Sequence, residues 1–220
     1  MNKSQLTNFI TKYTLGGEIK STKWTSNGDS LSTRFISGDK SVVGSVMLSK
    51  FNHLAPCELG VYNTGQLSSL LSVLGDDIEL NLSQSGDKFI SMEFEDTKRK
   101  TKSKYMLSDL SVIPTPPALK NLPDSFELGI KVDPYFVNTF ISGKGALSEA
   151  ETFTILTENG ETKIVIGYAS IASNRVTIPV ETTKQADIEP ISFNANMFAS
   201  ILNANKDCES ATLEVSSAGL

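Results

Sequence analysis

Histidine and cysteine are scarce in this chain: 220 residues hold one histidine, His53, and two cysteines, Cys57 and Cys208. His53 sits in the loop before Pro56 with no cysteine or acid cluster beside it, so it builds neither a metal site nor a Ser/His/Asp triad and reads as a surface loop residue. The cysteines are far apart and form no CxxC pair, which predicts free thiols in a reducing compartment. No apolar run is long enough to cross a membrane, and the opening MNKSQLTNF lacks a signal-peptide core. No GxxxxGKS/T, no GxGxxG after a strand and no GxSxG occurs. Asp76-Asp77 could be paired carboxylates, but at a helix end before a strand they read as solvated turn residues. Asn81-Leu82-Ser83 fits a glycosylation acceptor and, with no secretion signal, carries no weight. These absences favour binding or scaffolding over catalysis and imply no cofactor and no metal.

What is present is a repeated pattern of helices and strands. In 61–82, Leu67, Leu70, Leu71 and Leu74 recur at i, i+3, i+4 and i+7, forming one apolar stripe on a short helix. Asn63 or Thr64 can cap its start, and Gly75 with Asp76-Asp77 stops it. Ile78, Leu80 and Leu82 then alternate with polar residues, the period of a half-buried strand. Near the C-terminus the unit returns: an Asn194 cap, a stripe of Phe198, Ile201 and Leu202, and a strand at 211–215. A second helix pair agrees. Leu6, Phe9, Ile10 and Tyr13 share one face; so do Phe136, Val137, Phe140 and Ile141, behind an Asp133 cap with Pro134 at the first helical position. Both pairs are spaced by about 130 residues, which predicts a duplicated domain of helix, strands, helix, strands.

Between the helices, strands are expected at 18–25, 30–37, 41–49, 58–62, 89–95 and 102–107 in the first half. The second half should hold strands at 126–132, 152–158, 162–169, 175–182 and 191–193. Residues 110–125 hold Pro114, Pro116, Pro117 and Pro123 and read as an extended linker. The expected domains are 1–109 and 126–220. SQSG at 83–86 aligns with SSAG at 216–219; the first copy runs on through a hairpin of about twenty residues, so the second is expected to lack its C-terminal hairpin, as in a truncated fragment.

The charge is unevenly placed. The net charge is −5 with a pI near 5.0, against a generally basic nucleic-acid binder but not against one basic face. The four helical segments carry Lys3, Lys12, Lys144 and Lys206 and no Asp or Glu. A polar, weakly basic, acid-free surface tolerates a phosphate backbone without reading bases. The run from Lys98 through Arg99 and Lys100 to Lys104 is either a solvated hairpin tip or an auxiliary phosphate contact.

These residues resemble those of the DNA polymerase sliding clamps, most closely the clamps of large tailed bacteriophages. The likeness runs over nearly the whole chain. It rests on the Tyr62-Asn63 opening, the Leu-rich helix and Asp76-Asp77 standing in the family's order, on the Asn8-Phe9 helix and on the proline linker from Pro114 to Pro123. The resemblance implies an α+β chain of two clamp-fold domains, with antiparallel sheets outside and two short helices per domain on the inner face. It implies a homotrimeric ring around duplex DNA, gripped without regard to sequence, that tethers the replicative polymerase for processivity. An ATP-driven loader would open the ring, in the cytoplasm of an infected bacterium, with no membrane role. Lys3, Lys12, Lys144, Lys206, Lys98, Arg99 and Lys100 would face DNA. A partner peptide would enter an apolar pocket near Val42, Val43, Leu122, Pro123 and Phe126. Subunits would meet where the strand of Lys102, Lys104 and Tyr105 pairs with a neighbour's strand of Arg175 and Thr177. The other reading of the sequence is a phage tail or baseplate β protein with no DNA role, which would explain the many strands but not the acid-free helices.

Overall fold

Four short helices begin the same way, with an Asn or Asp side chain accepting from a backbone N–H of the first turn. Asn2 opens α1 (Lys3–Thr14), accepting from Ser4 N at 2.8 Å. Asn63 opens α2 (Thr64–Ser72) through Gln66 N at 3.0 Å. Asp133 opens α3 (Pro134–Ala146) through Phe136 N at 2.8 Å, and Asn194 opens α4 (Ala195–Ala204) through Met197 N at 2.9 Å. Each cap satisfies an amide that the helix itself leaves unpaired. The computed structural model describes residues 1–117, 126–169, 171, 173–208 and 210–217. It is an α+β chain in two compact units, Met1–Ala118 and Leu119–Leu220.

In the first unit the strands are β1 (Thr22–Ser26), β2 (Ser30–Ile36), β3 (Val43–Ser49), β4 (Cys57–Val61), β5 (Ile78–Ser85), β6 (Lys88–Asp96) and β7 (Lys102–Met106). They form two antiparallel sheets, ordered β3-β2-β1-β4 and β5-β6-β7. The second unit holds β8 (Leu128–Val132), β9 (Thr152–Glu158), β10 (Glu161–Ile166), β11 (Val176–Pro179), β12 (Thr182–Lys184), β13 (Ile191–Asn194) and β14 (Ala211–Val215). Its sheets are ordered β11-β10-β9-β13 and β12-β8-β14. None of the four sheets closes. The two four-stranded sheets share one order, third, second, first, fourth, and in each unit one helix precedes that set and another follows it.

Three segments differ from the sequence expectation. The first strand starts at Thr22 rather than 18, because Leu15, Gly16 and Gly17 all take positive φ and carry the chain around a one-turn 3-10 helix before any strand can begin. The stretch 175–182 splits. Val180 N still donates to Thr162 O at 3.3 Å, after which the chain leaves this sheet and β12 pairs β8 in the other. Residues 110–117 are not a free linker. Leu110–Val112 make a 3-10 turn, Ile113 is buried, and Arg34 Nη2 donates to Pro117 O at 2.6 Å.

Each unit buries its own core. In the first, α1 and α2 run antiparallel: Lys3 Nζ donates to Leu74 O at one end, and Tyr13 Oη donates to Thr64 Oγ1 at the other. Tyr13, Phe9 and Trp24 meet edge to face, with centroids 5.4 to 6.4 Å apart, and Trp24 Nε1 donates to Tyr13 Oη at 3.2 Å. Burial holds the Tyr13 phenol protonated far above its ordinary range. In the second unit Phe136, Phe140, Phe153 and Phe198 cluster over β9, with Phe140 and Phe153 at 5.1 Å.

Asp96, at the end of β6, ties α2 to its sheet. It is buried, and its carboxylate accepts from Gly75 N at 2.7 Å and from Lys98 N and Arg99 N at 2.8 Å each. A Cβ on Gly75 would lie 2.5 Å from Asp96 Oδ2, so only glycine fits there. The Arg99 amide foremost, joined by those of Gly75 and Lys98, holds this carboxyl below the usual carboxylate range against the opposing effect of burial.

Two outcomes follow. Tyr13→Phe leaves the Trp24 N–H unpaired and should cost about 1–3 kcal/mol, read from urea unfolding by the fluorescence of Trp24, the sole tryptophan. An unshifted midpoint would deny that bond a role. Asp96 has its folded pKa below its unfolded one, so its contribution is full above the ordinary carboxylate pKa and is lost as pH falls through the depressed value. Asp96→Asn should therefore lower stability at neutral pH and flatten its loss in acid, measured by unfolding midpoints across that range.

Candidate nucleic-acid interface

The outer faces of the first unit's helix pair carry hydroxyls and amides. Ser4, Asn8, Thr11, Gln66, Ser69 and Ser72 are exposed, and no acid lies in any of the four helices. Most of these hydroxyls are already committed. Thr11 Oγ1 donates to Thr7 O at 2.9 Å, Ser69 Oγ to Gly65 O at 3.0 Å and Ser72 Oγ to Ser69 O at 2.7 Å. Thr7 and Thr14 do the same one turn back. Hydroxyls turned onto their own helix carbonyls leave few donors for an outside acceptor. This face is polar and acid-free, with lysines only in the first and last turns of α1, and it offers no ordered pattern of donors and acceptors.

The expected DNA-facing cations divide. Lys206 is exposed, one residue past the C-cap of α4. Lys12 is half-buried in the last turn of α1. Lys3 is half-buried and its ammonium caps the end of α2 at Leu74 O. Lys144 is a correction: it is buried, only 9% exposed, and its Nζ donates to Ser148 O at 2.8 Å. Gly143 beside it packs within van der Waals reach of Val176 and Ile166, so this turn of α3 lies tight on the sheet and its lysine turns back to the following loop.

The basic run is paired with acids. The β6–β7 register sets Glu93 opposite Lys104 and Glu95 opposite Lys102. Lys104 reaches Glu93 at 2.8 Å, Lys102 and Lys100 reach Glu95 at 3.0 and 3.5 Å, and Lys98 reaches Asp77 at 3.1 Å. The Lys104 and Lys102 ammoniums are the leading reasons that Glu93 and Glu95 ionise below their ordinary range. Arg99 is exposed, and its backbone amide is held by Asp96. In the sequence Lys98, Arg99 and Lys100 stand as a cationic run; Asp77 and Glu95, which pair with Lys98 and Lys100, come beside it only through the fold. The alternation of Glu93 and Glu95 opposite Lys102 and Lys104 was the signal that could have found them.

The other expected sites fall as follows. Lys102 and Lys104 lie on β7, an edge strand, and Thr177 lies on β11, also an edge strand; Arg175 is exposed just before it. Tyr105 is a correction: it is 3% exposed, points into the first unit and accepts from Asn63 N at 2.9 Å, because alternation along β7 turns it opposite to Lys104. Val42 and Val43 are half-buried at the start of β3 in the first unit. Phe126 is half-buried in the second, its carbonyl accepting from Lys184 Nζ. Leu122 and Pro123 lie outside the described residues. The groove that the structure places along the proline segment is a different one, of about 300 Å³, between β1, β2 and residues 110–116, with Lys23, Arg34, Leu110, Ile113 and Pro114 among its walls. Among the described residues no group of three or more His, Cys, Asp or Glu could hold a metal ion, and no helix is long and apolar enough to cross a membrane.

The carboxylates mask the lysines of β7, which gives a test. Glu93→Gln with Glu95→Gln should raise affinity for linear duplex DNA at low salt. Each lysine that then meets a phosphate should steepen the log–log salt dependence by about 0.9. A mobility-shift series at several salt concentrations reads both, and an unchanged slope would show that this face does not meet the backbone. No protein-family model matches the chain, and no curated protein matches it either.

Proposed function

We propose that this chain is a sliding clamp, a closed ring of three copies and six clamp-fold domains that encircles duplex DNA and tethers the replicative polymerase. The observation that carries this reading is the repeated unit. Both halves arrange four antiparallel strands in one order, with a capped, acid-free helix before the set and another after it. Six such units in a ring can turn their helix pairs inward and keep the acidic strands and turns outside, away from phosphate.

The chemistry of the helix faces supports sliding over gripping. Hydroxyls bonded to their own backbone make few lasting contacts to phosphate, and the few lysines there attract the duplex without fixing a register. Retention is then topological, and no catalytic group is needed. The edge strands β7 and β11 supply the surfaces for closure: β7 of one chain pairs with β11 of the next. A polymerase peptide and an ATP-driven loader are the partners this reading implies.

The mass in solution and the fate of bound DNA test it together. Light scattering should give three times the chain mass of 23.8 kDa, persisting on dilution. Loaded complexes should stay on nicked circular DNA in high salt and leave when the circle is cut. A chain that is monomeric at every concentration, or that holds linear and circular DNA alike, overturns the proposal. Open assemblies that keep growing with concentration would instead favour a structural β protein.

A further inference from the structure

The chain holds two Asn-Gly pairs, Asn27-Gly28 and Asn159-Gly160, and each sits in the turn of a β-hairpin. An Asn-Gly pair is prone to deamidation, because glycine puts no Cβ in the way of its own amide nitrogen. That nitrogen attacks Cγ of the preceding asparagine. A new N–C bond closes a five-membered succinimide, the backbone nitrogen gives up its proton, and the side-chain nitrogen leaves as ammonia. Water then opens the ring at either carbonyl to give aspartate or isoaspartate. Water is the sole co-reactant, and nothing is oxidised or reduced. The reaction needs a carboxamide free to rotate over the main chain and a glycine N–H free to ionise.

At the first pair both groups are tied. Asn27 Oδ1 accepts from Asp29 N at 2.9 Å, from Ser30 N at 2.8 Å and from Ser30 Oγ at 3.1 Å. Gly28 N donates to Ser26 Oγ at 3.2 Å, and Ser26 is itself buried, its hydroxyl donating to Leu54 O at 3.0 Å. Cyclisation there must first break these bonds. At the second pair both groups are free. Glu158 pairs with Glu161, so Asn159 and Gly160 alone make the turn, at positive φ of 53° and 79°. Both are exposed, and a Cβ at Gly160 would meet nothing within 4 Å. Among the described residues neither the Asn159 carboxamide nor Gly160 N takes part in a hydrogen bond.

We infer that Asn159 is a site of spontaneous modification to aspartate and isoaspartate, and that the matching pair at Asn27 is protected by its own turn. The new carboxylate joins Glu158 and Glu161, which already share one ammonium, Lys163 Nζ, at 3.6 and 3.7 Å. The isoaspartyl form also adds a main-chain atom to a connection between β9 and β10 that the register limits to two residues. The inference rests on the two turns and not on the clamp reading or on DNA.

Incubation of the full 220-residue chain in mildly alkaline buffer, with peptide mapping by mass spectrometry at intervals, tests it. The peptide holding Asn159 should gain about 1 Da and separate into aspartyl and isoaspartyl forms. It should do so at least about tenfold faster than the peptide holding Asn27. In concentrated urea, where neither turn persists, the two rates should come within about twofold of each other. The proposal is overturned if the two pairs react alike in the folded chain, or if Asn27 is the faster. It is overturned equally if the folded-chain ratio persists in urea, which would assign the difference to the flanking residues and not to the hydrogen bonds of the turn.

Discussion

Helices of nine to thirteen residues do not persist alone in water, and the four α-helices among the described residues fall in that range. Their existence depends on seating an apolar stripe on a sheet. Leu6, Phe9, Ile10 and Tyr13 do this for α1, and Phe136 and Phe140 for α3. That single requirement orders much else. It leaves the opposite face of each helix to solvent, it pairs the helices within a unit, and it makes the small side-chain caps necessary. The buried Asp96 carboxylate extends the same logic to the joint between α2 and β5, where three backbone amides converge on one acid.

The electrostatics follow from strand register more than from composition. Sequence counting finds a basic run from Lys98 to Lys104; pairing β6 with β7 turns most of it into an ion-pair ladder. Exposed pairs of this kind add little stability, yet they remove most of the positive potential that a phosphate backbone would feel there. Under the clamp proposal the surface for a duplex is the acid-free hydroxyl face of the helices, which suits a contact that must move along DNA without holding it. The repeated unit and this face make a ring-shaped clamp a coherent reading of the chain.

The two units also differ in an informative way. The first unit's smaller sheet is ordered β5-β6-β7; that of the second, among the described residues, is β12-β8-β14, beside a pocket lined by Val137, Phe198 and Leu213.

The sequence by itself determined the elements, because their signals are local. Periods of 3.6 and 2, Asn and Asp caps, and Asn-Gly turns such as Asn159-Gly160 are written in neighbouring residues, and so all four helices and the duplicated order were legible. Tertiary structure alone decided which lysines meet solvent and which strands share a sheet. Lys144 is buried with its ammonium folded back onto Ser148 O, Tyr105 is core because alternation along β7 faces it to Asn63, and β12 leaves the β11 ladder to pair with β8. Tyr105 and β12 depend on partners tens of residues away, and burial or neutralisation by a distant partner leaves no local periodicity to read.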